Sequence, residues 1–243
     1  AMAEKEVMRV VRGQRTVDGA GVNLVRVLGR ETVQDFDPFL MLDSFDSRNP
    51  ADYVKGFPLH PHRGIETVTY LVRGEIIHKD SLGNAGVIRD GGTQWMTAGS
   101  GILHEEMPQA SERMLGLQLW LSLPQKEKMT EPKYFDIRKQ DTREIQGEDY
   151  ALRIIAGSWE GEEGARPHHI QATLMEFLLK EGRELRIPAK SGENSFVFLL
   201  EGDAVIAGTR YEEKSAILFG EGDVVRISAA DRPARFVFAQ GPP

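Results

Sequence analysis

Short apolar or alternating runs, each closed by Gly, Pro, Asn or Asp, recur along the chain. They include 67-TVTYLVRG-74, 75-EIIHKD-80, 115-LGLQLWLSL-123, 173-TLMEFLLKEG-182 and 196-FVFLLEGDAVIAG-208. Runs of this length, rich in β-branched and aromatic residues, predict strands, and their close spacing predicts an all-β sandwich or barrel protein. Apolar residues at helical spacing are scarce. Two stretches break the rhythm: 124-PQKEKMTEPKY-134 is polar and bracketed by prolines, and 140-QDTREIQGEDY-150 is charged and turn-rich. Together they read as a connection, which divides the chain into a domain over residues 1–125, a linker over 126–149 and a second domain over 150–243.

The two halves echo each other. In the first, 67-TVTYLVRGEIIHKDSLG-83 leads to the pair 91-GG-92; in the second, 195-SFVFLLEGDAVIAGTR-210 leads to 220-GEGD-223. Each reads as strand, glycine turn, strand, longer excursion, glycine turn, strand. The period is far longer than a solenoid repeat, so a duplicated β-barrel or double-sheet jelly roll of the cupin kind is the economical expectation. With Gly74 matched to Gly202, His60 falls opposite Pro188, His62 opposite Lys190 and Glu66 opposite Asn194. Residues needed by a shared scaffold should recur in both copies, so the loss of imidazole from one copy points to a role beyond packing.

Composition narrows the function. Hydrophobic residues are 40% of the 243 and charged ones 28%, an ordinary globular balance. The formal charge is −7, from 30 basic against 37 acidic residues, a field that repels phosphate backbones and anionic lipid. Direct nucleic-acid binding and membrane association are therefore not expected. The chain has no cysteine, which excludes disulfides, thiolate ligands and thiol redox chemistry. No apolar run approaches the roughly 20 residues of a membrane span, and the opening AMAEKEVMRVVRG has no signal-type stretch. The expectation is a cytoplasmic monomer, with Ala1 read as an addition ahead of Met2.

Against this background the six histidines stand out. Residues two apart on a strand project from the same face, so His60 and His62 in 57-FPLHPHRG-64 can converge inside a barrel while Pro61 turns away. The stretch 95-WMTAGSGILHEEMP-108 adds His104 and, two further on, Glu106, and its glycines permit a tight turn that returns this strand beside the first. Three imidazoles and one carboxylate suit a first-row divalent transition metal, whereas calcium and magnesium prefer all-oxygen sets. The remaining candidates take structural readings. His78 is read as a surface or barrel-wall residue, His168 and His169 in 164-GARPHHIQ-171 as loop or strand-start residues, and Trp95 and Met96 as barrel packing. The triplet 99-GSG-101 lacks the Lys-Ser/Thr and helix start of a phosphate loop.

The segments 60-HPHRGIETVTYL-71, 93-TQWMTAGSGILHEEMP-108 and 116-GLQLWLSLP-124 resemble the signature of the pirins, bicupin proteins of the cupin superfamily, densely so across residues 35–125. The resemblance implies two stacked antiparallel β-barrels with a metal in the N-terminal one, held by His60, His62, His104 and Glu106. Iron(II) is the usual occupant, with copper, manganese, nickel, cobalt or zinc as alternatives. The wider cupin pattern would use Glu66 in place of Glu106; the pirin pattern favours Glu106 and leaves Glu66 to hydrogen bonding. Some pirins are similar in activity to quercetin 2,3-dioxygenase, which opens the central ring of flavonols with release of carbon monoxide, and Glu106 would then be both ligand and catalytic base. Other pirins are regulatory partners of transcription factors or metabolic enzymes, so a protein partner is the alternative to a small aromatic substrate.

Overall fold

The computed structural model describes residues 3–243; Ala1 and Met2, the subject of the start-site reading, lie outside the described residues. The chain forms two compact units. One, made of Gln14–Glu31 and Phe39–Asp141, holds a seven-stranded sheet in the spatial order Lys133–Ile137, Thr93–Thr97, Ile65–Arg73, Met114–Ser122, Phe39–Ser47, Val22–Leu28, Gln14–Asp18. Its second sheet has four strands, Phe57–His62, Ile102–Pro108, Ile76–Asp80 and Ala85–Ile88. The other unit combines Thr142–Pro243 with Thr32–Pro38 and the residues up to Gly13. Its seven-stranded sheet runs Val7–Arg12, Ser215–Phe219, Asn194–Glu201, Ala234–Gly241, Thr173–Leu179, Tyr150–Ala156, Arg143–Gln146, and its four-stranded sheet runs Glu184–Pro188, Val224–Ala229, Ala204–Ile206, Thr209–Tyr211. The seven-plus-four order recurs strand for strand, and the named ladders are antiparallel. Gly74 and Gly202, matched in the sequence, both take positive φ at the same turn, 121° and 77°.

Two departures from the sequence reading concern the unit boundaries. The strand Val7–Arg12 pairs with Ser215–Phe219, so a segment of the expected first domain completes the sheet of the second. Lys133–Ile137, within the expected linker, pairs with Thr93–Thr97 as the equivalent edge of the other sheet, and Phe135 stacks on its register partner Trp95 at 5.6 Å. Arg143–Gln146, also in that linker, pairs with Tyr150–Ala156. Edge strands tolerate charge because one side faces water, which is why these segments read as connections.

The faces of the two barrels differ. In the C-terminal one, Met175, Phe177, Val197, Leu199 and Phe238 belong to one buried apolar cluster, which suits a scaffold. In the other, Thr67, Thr69 and Gln94 are buried, and Gln118 lies on the same inward face by register. Buried polar groups cost stability unless paired, so the largely polar interior around the histidines marks a copy built for chemistry. Helix is confined to Val33–Phe36 and short 3-10 turns among the described residues, and no helix is long and apolar enough to cross a membrane.

Candidate metal centre

Strand register assembles the centre. In the ladder between Phe57–His62 and Ile102–Pro108, His104 lies directly opposite His60, and Ile102 opposite His62. Directly opposed residues share a face with Cβ atoms about 5 Å apart, and His62 joins them from two residues along. The turn that returns the second strand uses Gly99 and Gly101, with φ of +53° and +135°; a Cβ on Gly99 would lie 2.0 Å from the Thr130 carbonyl oxygen. After His104 a bulge shifts the register so that Glu106 faces Phe57, and bulges of this kind re-aim side chains.

The three rings form a triangle, with centroids 4.4 Å apart for His60 and His104, 4.7 Å for His62 and His104 and 4.9 Å for His60 and His62. One ring nitrogen from each falls within 4.8 Å of the others. Glu106 Oε1 is 3.4 Å from His104 Nε2. The His60 Nδ1–H donates to the Pro58 carbonyl at 2.7 Å, which leaves Nε2 with its lone pair free. His62 Nε2 and both ring nitrogens of His104 are buried without a hydrogen-bond partner. Burial, then repulsion from His104 and His60, lowers the His62 pKa to about 4; burial, then His60 and His78, lowers His104 to about 3. Both are neutral at pH 7, as ligands must be. Three converging imidazoles beside a carboxylate, two of them neutral with buried ring nitrogens left unpaired, fit a transition metal.

Glu106 is oriented by residues that the sequence reading passed over. Gln118 Nε2 donates to its Oε1 at 3.1 Å and Oε2 at 3.0 Å and lies 3.1 Å from Thr69 Oγ1, while Trp120 Nε1 donates to Gln118 Oε1 at 3.3 Å. Trp120 also meets the His62 ring edge-on at 5.0 Å. The available signal was a Gln and a Trp two apart in the otherwise apolar run 115-LGLQLWLSL-123. Glu66 stands elsewhere. Its neighbour Thr67 pairs with Trp120 on the inward face, so Glu66 projects to the opposite face, fully buried, accepting from Trp95 Nε1 at 2.9 Å and Thr97 Oγ1 at 2.8 Å.

His78 is a wall residue but not a surface one. It is 2% exposed, sits opposite Glu106 across the ladder, stacks on Tyr134 at 5.6 Å and places Nε2 3.8 Å from Asp136. His168 and His169 lie in the other unit, outside the histidine group.

Twice-repeated antiparallel sheets define a bicupin, and among the described residues the histidine group lies in the first copy. The Pirin family model matches residues 21–121, and the model described as the Pirin C-terminal cupin domain matches residues 174–243. A pirin-like protein of Caulobacter vibrioides is 40% identical over 249 residues, covering 100% of this chain and 89% of that protein. Human pirin is 34% identical over 247 residues, covering 99% and 84%. A crystal structure of quercetin 2,3-dioxygenase from Acinetobacter baumannii superposes with a TM-score of 0.90 at 32% identity, over 99% of this chain and 88% of that one. The chain belongs to the pirin family.

Proposed function

We propose that the protein is a metal-dependent dioxygenase that opens flavonols such as quercetin, with His60, His62, His104 and Glu106 holding the metal and iron(II) its first candidate. The observation that carries this reading is the triangle of converging imidazoles, in which His62 and His104 are neutral and keep buried ring nitrogens without a hydrogen-bond partner, with Glu106 fixed beside it by Gln118. Likeness to the Acinetobacter baumannii quercetin 2,3-dioxygenase supports the substrate class. A bound redox metal would supply Lewis acidity toward the flavonol oxygens and a site for dioxygen. The chain's own part is positional and acid–base. Glu106 accepts the proton of the flavonol 3-hydroxyl, and the Gln118 amide, bonded to both carboxylate oxygens, holds it in the orientation for that transfer. Trp120 keeps the amide from flipping, because its indole N–H requires the Gln118 oxygen.

Aerobic bleaching of quercetin by protein loaded in turn with iron, copper and manganese tests this. Glu106→Gln should lower turnover by at least roughly 100-fold, the effect of losing a positioned proton acceptor, with metal content measured in the same sample. Absence of ring cleavage above the free-metal background for every metal would replace this reading with the regulatory one.

A further inference from the structure

The apolar interior of the C-terminal barrel changes character at one end. Thr173, Gln240 and Ser195 are register partners across three adjacent strands. Their side chains therefore leave the sheet on the face that carries Met175, Phe238 and Val197, two residues along each strand. Gln240 is 3% exposed, and its Oε1 accepts from the Lys190 backbone N–H at 2.8 Å. Ser195 Oγ is buried and unpartnered. A row of three polar side chains, one with an unpaired hydroxyl, is unusual in a barrel otherwise filled with hydrocarbon.

Thr173 and Gln240 line a cavity of about 570 Å³, within the usual size of small-molecule sites. Buried Met175 and Ala172 supply apolar wall, and exposed Arg166 and Lys190 stand at its rim. Arg166 is held by Glu163 at 2.7 and 2.8 Å, whereas the Lys190 ammonium has no ion pair among the described residues. The lining therefore carries one uncompensated positive charge in a chain of net charge −7. Glu184–Pro188 occupies the sheet position that Phe57–His62 holds in the other unit, but its inward residues are Leu185 and Ile187, so the second copy carries hydrocarbon where the first carries imidazoles. Lys190 follows that strand, and its cation and the Gln240 amide border the cavity instead.

We propose that this cavity is a second, metal-independent site, which takes a small organic monocarboxylate with an apolar body. The carboxylate oxygens accept from Lys190 Nζ, Gln240 Nε2 and the Thr173 hydroxyl, and the body lies against Met175 and Ala172. A single unpaired cation matches a single negative charge better than a phosphate. The inference does not depend on the activity proposed for the N-terminal barrel.

Benzoate is a suitable probe and benzamide its neutral counterpart of the same shape. The full chain, titrated with each while the Gln240 side-chain amide and Lys190 backbone amide are followed by NMR, should give saturable shifts with benzoate and a Kd on the order of 1 mM. Benzamide, and benzoate with the surface variant Lys190→Gln, should bind at least about fivefold more weakly, the loss of one charge-assisted contact. Chelator-treated, metal-loaded and His104→Ala samples should give the same benzoate Kd. No saturation by about 20 mM benzoate, equal affinity for benzamide, or unchanged affinity in Lys190→Gln would overturn the proposal. So would binding that survives Lys190→Gln and disappears in His104→Ala, which assigns the carboxylate to the histidine group.

Discussion

Acid should destabilise the metal-free protein through His62 and His104 in particular. Both are buried, 8% and 0% exposed, with pKa values lowered to about 4 and about 3 from the ordinary histidine value of 6.5. The unfolded chain, whose histidines titrate near 6.5, takes up protons that the folded chain refuses. Stability is therefore whole above pH 6.5, drains as the pH falls from there, and levels off below the folded-state values near 4 and 3. At pH 5.0 each histidine has cost about 1.5 pH units of differential protonation, or about 2 kcal/mol, so the pair removes about 4 kcal/mol relative to pH 7.5. That is a large share of the 5–15 kcal/mol typical of a folded domain. Urea unfolding of chelator-treated wild type at pH 7.5 and 5.0, compared with His62→Asn plus His104→Asn at the same two values, isolates the term because Asn does not titrate. The wild type should lose about 4 kcal/mol more than the variant across that interval. A difference under about 1 kcal/mol would mean that the imidazoles are solvated in the folded state, and the reasoning from burial would fail.

Three other outcomes follow from the geometry. His60→Ala with His104→Ala should leave the chain folded and metal-free by elemental analysis, and stoichiometric metal in that variant would refute the ligand assignment. His168→Ala with His169→Ala should leave metal content unchanged. Glu66→Leu strips the acceptor from the buried Trp95 and Thr97 donors and should cost about 2–5 kcal/mol in denaturant unfolding while metal content holds; loss of metal from a still-folded variant would move the ligand carboxylate from Glu106 to Glu66.

Much of this was legible in the chain because the relevant signals are local. The predicted runs at 67–74, 75–80 and 115–123 correspond to strands Ile65–Arg73, Ile76–Asp80 and Met114–Ser122, since alternation and glycine turns are properties of neighbouring residues. The histidine group was legible for the same reason: His60 and His62 share a face by spacing alone, and the 99-GSG-101 turn announces the return of His104. What was not legible depends on register between distant strands. Gln118 looks like an ordinary polar residue until the ladder with Ile65–Arg73 turns it inward toward Thr69, and His78 looks like an exposed strand residue until it is paired opposite Glu106. Lys133–Ile137 is a strand chiefly because the edge of Thr93–Thr97 is there to receive it. Which face each carboxylate takes depends on a parity that only the fold supplies: Glu66 and Thr67 point to opposite faces, and Thr67 pairs with Trp120.

The strand Val7–Arg12 has a further consequence for how the protein is made. Its partner Ser215–Phe219 pairs Val10 with Ile217, so the two are separated by 207 residues of chain. During synthesis the segment emerges long before anything exists for it to pair with, and it waits while the whole N-terminal barrel and most of the C-terminal one are produced. Closing a loop of that length costs about 3.5 kcal/mol more in entropy than closing a four-residue hairpin, so this ladder is favoured only once the receiving sheet is already in place. Until then the edge of Ser215–Phe219 is an open template for another copy's Val7–Arg12. A crowded ribosome-bound or refolding population is thus where exchanged dimers through this strand would arise, and a bulky fusion immediately ahead of Val7 would delay the step that seals the second sheet.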